Sequence, residues 1–326
     1  MKKHLMLPIL IIALLLTFSA CGKNDSNQNE NSDKITIIAT TFPQYDWIKN
    51  ILGENINNTE VTLLQDKGVD LHSFEPTAED ILEIGNSGML VYVGGVSDEW
   101  IKDAVEKSKN ESLVTINLMD VLGDSVKQEE TKEGMQHGHE DVNENDQDSH
   151  PDEHIWLSLK NAQRLTTHIS EKLGEIDAQN ADLYEENAKN YNDNLATLDK
   201  EYEKAVAESE LKTLVFGDRF PFRYLLDDYN LDYYAAFSGC SAETEASFET
   251  IIFLADKIDE LGSKSVITID NSDKKIAETI VENTERKNQQ ILTMDSMQSV
   301  TSDDINEGAN YIDKMRDNLE VVKKAI

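Results

Sequence analysis

The chain of 326 residues has only two cysteines, Cys21 and Cys240. If Cys21 carries a lipid anchor, no intramolecular disulfide framework is possible, and packing must hold the fold. Positive charge is also scarce. Thirty Lys and Arg stand against 63 Asp and Glu, a formal net charge of −33. Such a surface repels phosphates and argues against nucleic acid as a partner. It raises the local concentration of cations instead. There is no GxxxxGK[ST] phosphate loop, so any ATP hydrolysis belongs to a partner chain, and there is no H-E-x-x-H zinc-hydrolase helix. The one long apolar run, Leu5 to Leu16, is broken by Pro8 and is too short for a membrane span. Histidine is rare, with seven in all.

The apolar run follows Lys2, Lys3 and His4, and Ser19-Ala20 lead into Cys21. This pattern predicts a secretory signal over residues 1–20, and its end resembles a bacterial lipobox. Cys21 is then the lipid-carrying first residue of the mature chain, anchored outside the cytoplasm. Residues 21–34 hold no apolar residue beyond Cys21 itself and read as a flexible tether. Ordinary secretion with an unlipidated Cys21 is the plainer alternative.

The remaining body is rhythmic. Short β-branched runs at 34–41, 60–64, 88–94 and 112–118 recur at 213–218, 231–238, 265–270 and 289–295, alternating with helical periods. That alternation predicts parallel sheets covered by helices. Phe42-Pro43 follows the first strand of one half and Phe220-Pro221 the first strand of the other. Thr77 with Asp80, and Ser247, stand where helix caps are needed. Between the halves, Leu159 to Leu173 is amphipathic, and Asp177 to Ser209 runs without Gly or Pro. The expected fold is α/β: two similar lobes with parallel four-stranded sheets, joined by a long rigid α-helix of about 45 Å. The expected organisation is a first lobe over 35–156 with a His- and acid-rich loop at 124–153, helices over 157–210, and a second lobe over 211–326.

Ligands of open parallel sheets bind outside the carboxyl ends of the strands. His72 follows the second strand, and His154 ends the loop after the fourth. The second lobe offers Asp218, Cys240 with Glu243, and Asp270. Imidazole, carboxylate and thiol are the donors a borderline transition metal prefers. Each has a bland reading as well: a loop histidine with a routine hydrogen bond, a buried inert thiol, an aspartate that merely starts a turn. His168, at helical spacing from Arg164 and Glu171, reads as a surface residue. From Glu129 to Glu153 there are ten acidic residues, one lysine and almost nothing apolar, which predicts a disordered loop. Its His137, His139 and His150 are candidate weak, auxiliary metal ligands.

Several segments together resemble the ZnuA/TroA-like family, the metal-binding lipoproteins that serve ABC importers for zinc and manganese. "GVDLHSFEPTAED" is similar to the family's first ligand segment and "PDEHIWLSL" to its second. "DAQNADLYEENAKNYNDNLATLDKEY" is similar to the start of its connecting helix, and "SGCSAETEASFETI" and "VITIDNSDKKIAETI" to segments of the second lobe. The resemblance runs from about Ile35 to the C-terminus. It implies a single metal in the inter-lobe cleft, held by His72 and His154 with Asp270 at the family's carboxylate position, and delivery to an ABC permease and its ATPase subunit. Where zinc-type members carry a further histidine, this chain has Gly217, followed by Asp218. The order of preference for completing the shell is Asp270, then Cys240 or Glu243, then Asp218, then His139 or His150. Zinc is the expected ion and manganese the alternative. A monomeric solute-binding protein, not an enzyme, is expected; an exported zinc hydrolase, an adhesin or an extracellular metal buffer are the other classes.

Overall fold

A computed structural model describes residues 34–53, 59–136, 150–241 and 245–326. The signal, most of the tether with Cys21, the loop histidines His137 and His139, and Glu243 lie outside the described residues. Ile35–Ile326 forms one compact unit. No helix among the described residues is long and apolar enough to cross a membrane.

The first half runs β1 (Ile35–Ala39), α1 (Phe42–Leu52), β2 (Thr59–Leu63), α2 (Ala78–Asn86), β3 (Met89–Tyr92), α3 (Glu99–Ser108), β4 (Val114–Asn117) and the short α4 (Leu118–Leu122). Its four strands are all parallel, in the order β2-β1-β3-β4. Thr77 accepts the Asp80 N–H and closes a reciprocal capping box at the start of α2.

Two long helices follow, α5 (Leu159–Ile176) and α6 (Ala181–Glu208). At 28 residues, α6 spans about 42 Å; it starts four residues later than the sequence suggested. Its buried stripe is Tyr184, Ala188, Tyr191, Leu195, Leu198, Tyr202 and Val206. The stripe packs on α5 and α1 of the same chain.

The second half repeats the plan with β5 (Thr213–Phe220), α7 (Arg223–Asp228), β6 (Asp232–Ser238), α8 (Phe248–Leu261), β7 (Ser265–Ile269), α9 (Lys275–Asn283), β8 (Gln290–Met294), α10 (Ser302–Asn306) and α11 (Tyr311–Ala325). Its parallel order is β6-β5-β7-β8. In each sheet helices cross over between the parallel strands, and the inner strand β7 is buried along its whole length. β5 carries an irregularity: its pairing with β6 shifts register between Phe216 and Arg219.

One apolar core passes from sheet to sheet. It joins Ile37, Val91 and Trp47 to Trp156, Tyr311, Phe216 and Met294. Two of its polar side chains hydrogen-bond across the junction. Trp156 Nε1 donates to the Ser296 carbonyl at 2.9 Å, and the Tyr311 hydroxyl donates to the Trp156 carbonyl at 2.6 Å. Trp47 meets Tyr311 edge-on, with ring centroids 5.3 Å apart.

The expectation of one disordered loop from Glu129 to Glu153 fails at both ends. Residues 127–136 form a strap lying on the second sheet's side. The Lys127 N–H donates to the Tyr224 hydroxyl at 2.9 Å, and the Gln136 N–H donates to the Ala236 carbonyl of edge strand β6 at 2.9 Å. Lys132 pairs with Asp232, and Arg223 with Glu130. The returning end is tied back to the strap, with Glu129 N–H on the His150 carbonyl and Asp152 N–H on the Lys127 carbonyl, both 2.8 Å. Charge alone misleads here because its partners lie about a hundred residues away.

Candidate functional site

His72 is placed by a short 3-10 turn, Leu71–Ser73, pinned by buried Leu71. Asp70 Oδ1 accepts the His72 backbone N–H at 3.0 Å and caps that turn. The ring is held from behind: Nδ1 lies 3.0 Å from Ser97 Oγ and 3.3 Å from Glu153 Oε2. Glu153 is itself aimed by the Ser97 backbone N–H, at 2.8 Å.

His154 stands at the head of a second 3-10 turn, Ile155–Leu157, whose three side chains are all core. It is fully buried. Asp152 Oδ1 accepts both its backbone N–H and its Nδ1–H, each at 2.9 Å. An ionised carboxylate only accepts, so the His154 ring carries its proton on Nδ1 and leaves a lone pair on Nε2; the Glu153 carboxylate beside His72 Nδ1 favours the same arrangement there.

Those two Nε2 atoms face each other at 3.2 Å. Two bare lone pairs at that distance repel, and a cation between them removes the conflict. Zinc–nitrogen bonds of 2.0–2.1 Å at a tetrahedral angle put two ligand nitrogens about 3.3 Å apart. The rings are therefore spaced as ligands of one ion, each braced by a carboxylate on its far nitrogen as metal-bound histidines are.

Cys240 faces the pair from the turn after β6. His72, His154 and Cys240 form a group whose donor atoms all lie within 4.8 Å of one another. Cys240 is a free cysteine, and its N–H donates to Glu129 Oε1 of the strap at 2.9 Å. Gly239 lets this turn close on the imidazole: a Cβ there would come within 2.9 Å of His154 Cε1 and 2.8 Å of the Phe220 carbonyl.

The electrostatics favour a cation. Burial opposes charging His154, but Asp152 outweighs it and the ring's pKa stands above the ordinary imidazole value. Burial also works against the Glu153 and Asp70 carboxylates; His72 and Ser97 hold the first below its usual range, and Arg219 with His72 holds the second there. Burial pushes the Cys240 thiol up, helped by Glu129, Asp152 and Glu153 and opposed by the Glu153 N–H.

The structure does not bring the aspartates of the second lobe into this group. Asp270 Oδ1 accepts from the N–H and hydroxyl of Ser296, both at 2.7 Å, and Oδ2 accepts from the Ser299 hydroxyl at 2.5 Å. Asp218 accepts the Arg219 N–H at 2.9 Å. Both line a cleft of about 460 Å³ that also exposes Asp70, Arg219 and Ser241. Gly217 sits in the β5 irregularity against α9, where a Cβ would come within 2.8 Å of Ala277 Cα. The helix occupies the place a side chain would need. His150 is exposed at the returning end of the strap, and His168 pairs with Glu171 on the surface at 3.8 Å.

Sequence reasoning missed the supporting residues Ser97, Asp152, Glu153, Glu129 and Gly239. A signal existed for two of them, because Asp152 and Glu153 directly precede His154. It also missed Arg219, whose Nη2 reaches Asp70 Oδ2 at 2.8 Å and joins the second sheet to the His72 turn.

Comparison with known proteins shows the family. The chain is 26% identical over 328 residues to the "Zinc-binding protein AdcA" of Streptococcus pyogenes serotype M3, covering 99% of this chain and 61% of that protein. It thus spans about three-fifths of the length of such relatives. It is 27% identical over 320 residues to the "High-affinity zinc uptake system protein ZnuA" of Bacillus subtilis, covering 97% and 96% of the two chains. Among solved structures, the Zn(II)-bound ZnuA-like domain of Streptococcus pneumoniae AdcA superposes with a TM-score of 0.70 at 24% identity, covering 90% of this chain and 98% of that one. The metal-dependent lipoprotein YcdH of B. subtilis gives 0.71 at 24% identity, covering 90% and 99%. Residues 37–325 match the family described as "Zinc-uptake complex component A periplasmic". The chain belongs to that family, whose members are extracytoplasmic solute-binding components of zinc uptake and not enzymes.

Proposed function

We propose that this chain captures a single Zn²⁺ in the cleft between its lobes, gripping it with His72 and His154, and surrenders it to an ABC-type permease driven by a separate ATPase subunit. It works as a monomer outside the cytoplasm, tethered through residues 21–34 and a lipidated Cys21. The lobes are 35–156 and 211–326, with the helices of 157–210 behind them. The observation that carries this reading is the 3.2 Å approach of two Nε2 atoms whose far nitrogens are both held by buried carboxylates. The names of its relatives, zinc-binding and zinc-uptake proteins, support the same cargo. Two imidazoles favour zinc over manganese, which leans to carboxylate and water.

Calorimetric titration of the metal-free protein tests this. One tight zinc site is expected, abolished by His72→Ala or His154→Ala. His137, His139 and His150 supply only weaker sites that survive those changes. A protein that binds several ions with none tight, or whose tight site ignores both substitutions, overturns the proposal.

A further inference from the structure

Two nitrogens from the first lobe do not close a shell, and the family's usual second-lobe histidine position holds Gly217. We propose that Cys240 is the second-lobe ligand and binds the ion as a thiolate, so that the cargo is a thiophilic divalent ion such as zinc, cobalt or cadmium rather than manganese. This rests on the reading of His72 and His154 given above.

Three observations carry it. First, the sulfur converges with one ring nitrogen of each histidine, all three donor atoms lying within 4.8 Å of one another. A tetrahedral ion with bonds of about 2.05 Å to nitrogen and 2.3 Å to sulfur needs N···S near 3.6 Å. Closing the remaining gap takes a movement of about 1 Å by the Cys240 side chain.

Second, the turn is built to stay there. Gly239 abuts the His154 ring, the Cys240 N–H is anchored on Glu129, and Arg219 Nη1 reaches the Ser241 carbonyl at 3.4 Å. Third, the competing second-lobe aspartates among the described residues are already engaged. Asp270 takes three hydrogen bonds from Ser296 and Ser299, and Asp218 takes backbone N–H groups.

On binding, the Cys240 S–H bond breaks, its proton leaves to solvent, and a metal–sulfur bond forms; no electron is transferred. Sulfur is the soft donor of the set, and soft donors discriminate against manganese, whose sites are built of oxygen.

The full-length metal-free protein is titrated with Co²⁺ under reducing conditions and then challenged with Zn²⁺. The wild type is expected to bind one cobalt with a near-ultraviolet thiolate-to-cobalt charge-transfer band that zinc abolishes. Cys240→Ser is expected to lose the band, keep one weaker site, and lose about 100-fold or more in zinc affinity, beyond the range of outer-shell changes. Its manganese affinity should move by less than about threefold, since serine keeps an oxygen donor.

One bound cobalt without the band, or Cys240→Ser zinc affinity within about threefold of wild type, overturns the thiolate while leaving the two-histidine site standing. No cobalt or zinc bound at all overturns both. The wild-type spectrum needs no variant, so a Cys240→Ser protein that fails to fold does not spare the proposal.

Discussion

Asp152 is the place to test whether the imidazoles are held ready for an ion. Its carboxylate is 3% exposed and accepts both N–H groups of His154 at 2.9 Å. The backbone of Asp152 is fixed independently, by its N–H on Lys127 and its carbonyl under the Tyr224 hydroxyl. Asp152→Ala therefore removes the acceptor without releasing the chain. Two costs follow.

The first is structural. Two buried donors lose their partner, at about 1–3 kcal/mol, visible in the urea midpoint. The second is functional. Nothing then keeps the ring proton on Nδ1, and the tautomer that puts it on Nε2 blocks the ion. Losing such an outer-shell carboxylate lowers metal affinity roughly 10–100-fold, about 1.4–2.7 kcal/mol. Asp152→Asn keeps an acceptor oxygen but not the charge and should fall between wild type and alanine. Competition against a chromophoric chelator measures the affinity. A folded Asp152→Ala protein that holds zinc within threefold of wild type would refute the argument that tautomer and orientation are set from behind.

Asp98 predicts a pH dependence. Burial raises its pKa to about 7, Glu153 adds to the rise, and the Gly94 N–H works against it. The folded state keeps a proton that the unfolded chain gives up, so this contribution is full below about pH 4 and is lost as pH rises through 7. Between pH 5 and 8 the wild type should lose roughly 3 kcal/mol relative to Asp98→Asn in urea unfolding, and parallel pH profiles would sink the idea. Gly217→His, which restores a histidine to the family's position, should not improve zinc binding. Its Cβ meets α9, and a destabilisation of about 1–3 kcal/mol or more is expected, read from the urea midpoint. Deleting residues 137–149 should leave the tight site unchanged and remove weaker ones, as counted by titration calorimetry.

Much of the fold was legible because it is local. Eight β-branched runs became eight parallel strands, and the Tyr/Ala/Leu spacing of 184–202 became the buried stripe of α6. His72 and His154 were legible for a related reason, since each sits beside a buried anchor, Leu71 or Ile155-Trp156-Leu157. The proposed second-lobe donor was not. Asp270 and Cys240 both follow strands, and only the hydroxyls of Ser296 and Ser299, some thirty residues on, show that the aspartate is already engaged. The strap was hidden likewise. Its acidic composition resembles disorder until Tyr224, Arg223 and Ala236 are in place beside it.

The apolar interior shared by both sheets governs how a loaded molecule can announce itself. Halves fused through Trp47, Trp156 and Tyr311 cannot close like a jaw without tearing a close-packed core. Loading then hides little new hydrocarbon, and binding should show a heat-capacity change near zero and leave the scattering radius unaltered. On the proposed function, a permease that tells full from empty would then have to read the turns around the bound ion, not the silhouette of the protein.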